Sequence, residues 1–143
     1  MTVSTEVNIP MGHRLMNHAG LCRHPHGHNY RVVISVTGIV HRDTGMLVDF
    51  SDLKKAAKAV LDPYDHAMVL HADDPLLSIL MDQGNRDITG RLYAVSFHPT
   101  AEELASFWRD QIKGELMHAL PNDRSLSISV TVYETPTSCA HAV

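Results

Sequence analysis

Apolar or β-branched side chains recur at every second position from Val3 through Thr5, Val7 and Ile9 to Met11, with Ser4, Glu6 and Asn8 between them. A period of two is that of a strand with one buried face. Pro10 has no N–H to offer a ladder, which predicts an edge or a bulge late in this strand, and His13 continues the apolar face. The alternation returns over residues 28–40, where Tyr30, Val32, Ile34 and Val36 interleave with Asn29, Arg31, Ser35 and Thr37. Extended backwards, it places His26 and His28 on the face of Tyr30. Residues 41–45, ending in Gly45, read as a turn.

The period then changes. Phe50, Leu53, Ala57, Val60 and Leu61 have helical spacing, with Asp49 or Ser51 available as cap. Asp74-Pro75 opens a short helical piece carrying Leu76, Leu77, Ile79 and Leu80, since proline suits the first helical position. Residues 82–91 are polar and read as loop, and Leu92 to Phe97 as another short strand. Thr100-Ala-Glu-Glu103 has the form of a capping box, ahead of an amphipathic helix with Leu104, Phe107, Trp108, Ile112 and Leu116. Finally Leu126, Ile128, Val130 and Val132 alternate with Ser127, Ser129, Thr131 and Tyr133, so that Glu134 falls on the apolar face. Strands first and last with helices grouped between them predict an α+β fold with an antiparallel sheet, in one domain over residues 1–143.

Composition narrows the function more than the fold. The chain has 143 residues, 44% apolar, enough to bury a core. No apolar run approaches ~18 residues, so no membrane span is expected. The N-terminus lacks the basic start and apolar stretch of a signal peptide, which makes the cytoplasm the expected compartment. Cys22 and Cys139 are too few for a disulfide framework and are expected as thiols, Cys139 as a packing residue. A net charge of −4 with scattered Lys and Arg argues against a nucleic-acid surface. Histidine is the unusual residue: there are 11, and His13, His24, His26 and His28 fall within sixteen positions.

His26 and His28 on one strand face, with His13 on the same face of a neighbouring strand, could present three imidazoles to one point. Three neutral histidines and an open fourth position form a catalytic zinc arrangement, able to polarise oxygens and acidify what binds. His-x-His pairs also arise by chance, and histidines packed or solvated beside a loop are the plainer alternative. Cys22, four residues before His26, is open to three roles: fourth ligand of a closed structural site, proton-transferring thiol beside a metal, or small buried hydrophobe. Asp65-His66 joins a carboxylate to an imidazole, the pairing that orients a general acid or base, although most such dipeptides do nothing of the kind. Glu134 on an apolar face needs a partner. A guanine-like or pterin ring offers two neighbouring N–H donors to such a carboxylate; a strand ending at Tyr133 would leave it merely solvated. Glu102 has a plain role in a first helical turn, where carboxylates favour the helix dipole.

In chain order, His13-Arg-Leu15, Cys22-x-x-x-His26-Gly-His28-Asn-Tyr30, Thr44-Gly-Met46 with Asp49-Phe50 and Leu53-Lys54, Asp65-His66, Pro99-Thr-Ala-Glu102 and Glu134-Thr-Pro136 cover nearly the whole sequence. Together they resemble the 6-pyruvoyltetrahydropterin synthase and 6-carboxytetrahydropterin synthase family. The resemblance implies a tunnelling fold, in which a four-stranded antiparallel sheet carries two helices packed on one face. Three subunits would close a barrel and two trimers stack into a homohexamer, with sites at subunit interfaces. It implies Zn2+ on His13, His26 and His28, Cys22 as catalytic thiol, and Asp65 with His66 as acid/base relay. Glu134 would anchor the pterin ring, with Thr100 and Glu102 near it.

The implied substrate is 7,8-dihydroneopterin triphosphate, with Arg14, Arg23 or Lys54 expected to receive the triphosphate. In the carboxy branch, that of queuosine and deazaguanine synthesis, the side chain breaks between its first two carbons and releases acetaldehyde and triphosphate. In the pyruvoyl branch triphosphate is eliminated and the carbon chain kept. Three residues between Cys22 and His26, and Pro99-Thr-Ala-Glu102, look like the carboxy branch. The sequence departs from the family pattern at Ile9-Pro-Met-Gly12, at Tyr64, at Glu103 and in the tail around Cys139 and His141. The pyruvoyl reaction, and a zinc-stabilised binding protein without turnover, are the alternatives.

Overall fold

Two long strands, β1 (Thr2–His13) and β2 (His26–Thr37), pair antiparallel along their whole lengths, from Thr2 opposite Thr37 to His13 opposite His26. The computed structural model in which they are seen describes residues 1–82, 90–120 and 125–143. The chain continues through α1 (Phe50–Leu61), β3 (Met68–His71), α2 (Pro75–Asp82), β4 (Leu92–Val95), α3 (Ala101–Ala119), β5 (Ser127–Thr135) and β6 (Ser138–Ala142). Most of the expected loop at 82–91 lies outside the described residues. Among those described, no helix is long and apolar enough to cross a membrane.

The sheet order is β4-β3-β1-β2-β5-β6. Neighbours from β1 to β6 are antiparallel, whereas β3 runs parallel to both β1 and β4. This corrects the expected four-stranded antiparallel sheet: the α+β class holds, but the sheet is six-stranded and mixed. The added strands are β3 and β6. β3 is four residues long with Val69 and Leu70 both buried, so it carries no alternation; β6 (Ser-Cys-Ala-His-Ala) has no β-branched residue to mark it. β3 meets β1 only at Gly12 and His13, which leaves the edge of β1 open over the residues before them. Pro10 therefore sits on an edge, as its missing N–H requires.

One face of the sheet carries α1 and α3. Leu53, Ala57 and Leu61 from α1, and Leu104, Trp108, Ile112 and Leu116 from α3, are fully buried against Tyr30, Val32 and Ile34 of β2 and Val130 and Val132 of β5. Each such aliphatic side chain contributes roughly 1.5–3 kcal/mol by leaving water. The expectation of two helices on one face describes this pair; a third helix, α2, packs by β3. Phe50, counted with the apolar side of α1, is half exposed in its first turn. Asp49 caps α1 by accepting the Ser51 N–H at 2.7 Å. Thr100 caps α3 through the Glu103 N–H at 3.3 Å, but its own N–H goes to the His98 carbonyl, so the capping box is not reciprocal. The expected turn closes at Gly45, whose φ of 67° suits glycine.

Candidate active site

The site grows out of the β1–β2 ladder. Register sets His13 directly opposite His26 and Met11 opposite His28, so three imidazoles gather on the helix-covered side at one end of the sheet. Gly27 between the two β2 histidines permits a close approach of the strands: a Cβ there would lie 3.1 Å from the Met11 carbonyl oxygen. One ring atom from each histidine lies within 4.8 Å of the other two, so His13, His26 and His28 could hold a metal ion.

The hydrogen bonds suit that use. His13 Nδ1 lies 2.7 Å from the Pro99 carbonyl and His26 Nδ1 lies 2.8 Å from the His24 carbonyl. A carbonyl only accepts, so each Nδ1 carries the proton and each Nε2 keeps its lone pair. His28 Nε2 is buried without a hydrogen-bond partner. His13 is held below the ordinary histidine range, chiefly because burial penalises the cation; the neighbouring His26 and His28 act in the same direction, against the Pro99 carbonyl and Glu134. A buried neutral imidazole with its lone pair inward is what a metal ligand requires.

Glu134 arrives from β5. Arg31 pairs with Tyr133, which brings the next residue alongside Tyr30, and the Tyr30 hydroxyl donates to Glu134 Oε1 at 3.3 Å. The same oxygen lies 3.4 Å from His13 Nε2 and 3.6 Å from His28 Nε2. Tyr30 is fully buried, edge-on to both His13 and His28, and burial followed by the Glu134 charge pushes its ionisation far upward. It stays a neutral donor. The sequence reading gave Tyr30 an apolar-face position and a place in the family motif but no role in the site; the signal available was its place on the face that also carries His26 and His28.

A cleft of about 280 Å³ opens beside this cluster, lined by His13, Cys22, Thr100, Glu102 and Glu134 with the start of β6. Cys22 lies in a single helical turn, Leu21–Arg23, whose Cys22 carbonyl accepts the Leu15 N–H at 2.8 Å. The structure thus brings together the three histidines and four of the other six residues singled out in the sequence. Asp65 and His66 are elsewhere. They form an exposed pair, His66 Nδ1 to Asp65 Oδ1 at 2.9 Å, of which His66 lines an open groove that His28, alone of the cluster, also borders. His66 has a φ of 57°, an uncommon left-handed conformation for a non-glycine residue, pinned by its N–H on the Pro10 carbonyl. Tyr64 just before them packs on Trp108 and Tyr93. Arg14, Arg23 and Lys54 do not line the cleft, and Arg14 is bound to Asp74.

Comparison with known proteins agrees with this geometry. Over 144 residues the chain is 34% identical to the 6-carboxy-5,6,7,8-tetrahydropterin synthase of Haemophilus influenzae, covering 95% of this chain and 94% of that one. It is 36% identical over 130 residues to a probable 6-carboxy-5,6,7,8-tetrahydropterin synthase of Halobacterium salinarum, covering 91% and 78% of the two chains. The solved structure of Plasmodium falciparum 6-pyruvoyl tetrahydropterin synthase superposes with a TM-score of 0.77 at 26% identity, over 99% of this chain and 96% of that one. Residues 2–143 match the 6-pyruvoyl tetrahydropterin synthase family as a whole. With the histidine cluster and its cleft, this match makes the chain a member of the 6-pyruvoyl tetrahydropterin synthase family.

Proposed function

We propose that this chain is a single-domain, cytoplasmic, zinc-dependent lyase that converts 7,8-dihydroneopterin triphosphate to 6-carboxy-5,6,7,8-tetrahydropterin, acetaldehyde and triphosphate, the carboxypterin step of queuosine and deazaguanine synthesis. The observation that carries the reading is the cleft in which Cys22 and Glu134 stand beside His13, the histidine that joins it to the three-imidazole cluster. Glu134, held by Tyr30, accepts two neighbouring N–H groups of the pterin ring, and Thr100 and Glu102 close the pocket beside it. The Pro99 and His24 carbonyls keep His13 and His26 turned so that Nε2 faces inward. Bound there, zinc would supply Lewis acidity that makes the side-chain hydroxyls of the substrate easier to deprotonate. Cys22 exchanges a proton on one side of the substrate, and His66, steadied by Asp65, on the other.

Asp65 and His66 do not line the cleft that holds Cys22, so the complete site takes this pair from a second copy of the chain. Open strand edges, most of β1 and the outer side of β6 among them, are the means by which copies would join. This supports the barrel of three subunits and a hexamer built from two such trimers. No arginine or lysine is among the described residues that line the cleft, so the triphosphate is received outside it.

The test is incubation of zinc-loaded protein with 7,8-dihydroneopterin triphosphate and mass spectrometry of the products. Acetaldehyde with a carboxypterin is the expected outcome. A pyruvoylpterin without acetaldehyde would move the chain to the pyruvoyl branch, a reading favoured by the likeness to the Plasmodium falciparum structure. In the Cys22→Ala variant zinc should remain while turnover is lost; loss of zinc instead would make Cys22 a fourth ligand and the protein a zinc-stabilised binder.

A further inference from the structure

Among the described residues, two side chains able to carry a charge near neutral pH are enclosed: His13, and Asp74, which none of the proposed chemistry uses. Asp74 precedes Pro75 at the start of α2 and accepts the Leu76 N–H on Oδ1 at 2.8 Å. Its two oxygens also receive the Arg14 fork, Nε to Oδ2 at 2.6 Å and Nη2 to Oδ1 at 2.5 Å. Arg14 directly follows His13, the last residue of β1.

Three further bonds tie this end of β1 to the segment running from Asp65 to Pro99. The Gly12 N–H goes to the Ala67 carbonyl at 2.8 Å, the His66 N–H to the Pro10 carbonyl at 2.7 Å, and His13 Nδ1 to the Pro99 carbonyl at 2.7 Å. The Arg14–Asp74 fork is the one contact of the four made wholly by side chains, and it is charge-assisted, bidentate and shielded from water on the carboxylate side. A planar fork fixes the direction of both partners, which a lysine could not do.

We propose that Asp74 is a positioning residue for His13, holding the end of β1 through Arg14 so that His13 Nε2 stays aimed at the point shared with His26 and His28. The inference rests on the reading of these histidines as metal ligands. It gives α2 and its flanking strands a function in the site although they contribute nothing to the Cys22 cleft itself.

The experiment compares wild type with Asp74→Asn, Asp74→Glu and Arg14→Lys, reading zinc affinity by chelator competition and the visible spectrum of the cobalt-substituted protein. Asp74→Asn and Arg14→Lys should weaken zinc binding roughly 10–100-fold, as loss of an outer partner of a metal ligand does, and alter the cobalt bands. Asp74→Glu should recover part of the affinity. If Asp74→Asn binds zinc as wild type does, with the same cobalt spectrum, then Asp74 only fastens α2, whatever happens to thermal stability. Should Asp74→Asn fail to fold, Arg14→Lys decides by the same two readings. A wild type that takes up no zinc overturns the metal reading and this inference with it; an unchanged variant overturns this inference alone.

Discussion

At the residue scale, the site is an arrangement of a few polar atoms with few alternatives. Asp74 shows how strongly such atoms are held. Burial alone would raise its pKa, yet the Arg14 and Leu76 N–H groups outweigh burial and keep it below the ordinary carboxylate value. A carboxylate depressed in the folded state contributes stability that is full above its unfolded pKa, about 3.9, and is lost as pH falls through the lower folded value. The stability gap between wild type and Asp74→Asn, measured by urea denaturation, should therefore be widest near neutrality and shrink below about pH 4. A gap that stays constant down to pH 2 would mean that the charge of Asp74 contributes nothing. Glu134 is testable separately: Glu134→Ala should weaken pterin binding in a titration while zinc content stays stoichiometric. Unchanged pterin affinity would remove it as the anchor.

At the scale of elements, the sequence showed what one buried face writes into a long strand and no more. β1, β2 and β5 were legible because nine or more residues alternate in each, and the His26–His28 spacing followed from the same period. β3 and β6 were not, being short, with two adjacent buried residues at the centre of β3 and no β-branched residue in β6. Parallel pairing of β3 with β1 has no local signature at all, and neither does the Arg14–Asp74 fork, whose partners lie 60 positions apart. Asp74 was read only as the start of a helix. The proximity of Cys22 to Glu134 likewise depends on a register that only family resemblance could supply. Thr100 was read correctly as a cap, and it also lines the cleft. Thr100→Ala should cost about 1 kcal/mol of stability and Thr100→Ser little of it. Equal losses in thermal unfolding of the two variants would show that the cap contributes less than the methyl contact.

At the scale of the whole molecule, the separation of Cys22 from Asp65 and His66 makes assembly testable through activity. Cys22→Ala and His66→Ala should each be inactive alone. Unfolded together and refolded as a mixture, they should recover up to roughly a quarter of wild-type activity, because some sites then combine an intact thiol from one copy with an intact imidazole from another. No recovery from well-folded mixed oligomers would place both groups within one chain. Sedimentation should accompany this, with species in multiples of three copies expected. Assembly also bears on Glu134, whose Oε1 leans towards His13 and His28 at 3.4 and 3.6 Å. A cation among those rings and a ring edge on that carboxylate act on the same oxygen, so the two occupancies are thermodynamically linked. Linkage is reciprocal: whatever factor zinc applies to pterin affinity, pterin must apply to zinc affinity. If the histidines hold zinc as proposed, a change in metal supply would thereby change the hold on substrate, and a change in substrate level would change the hold on the metal by the same factor.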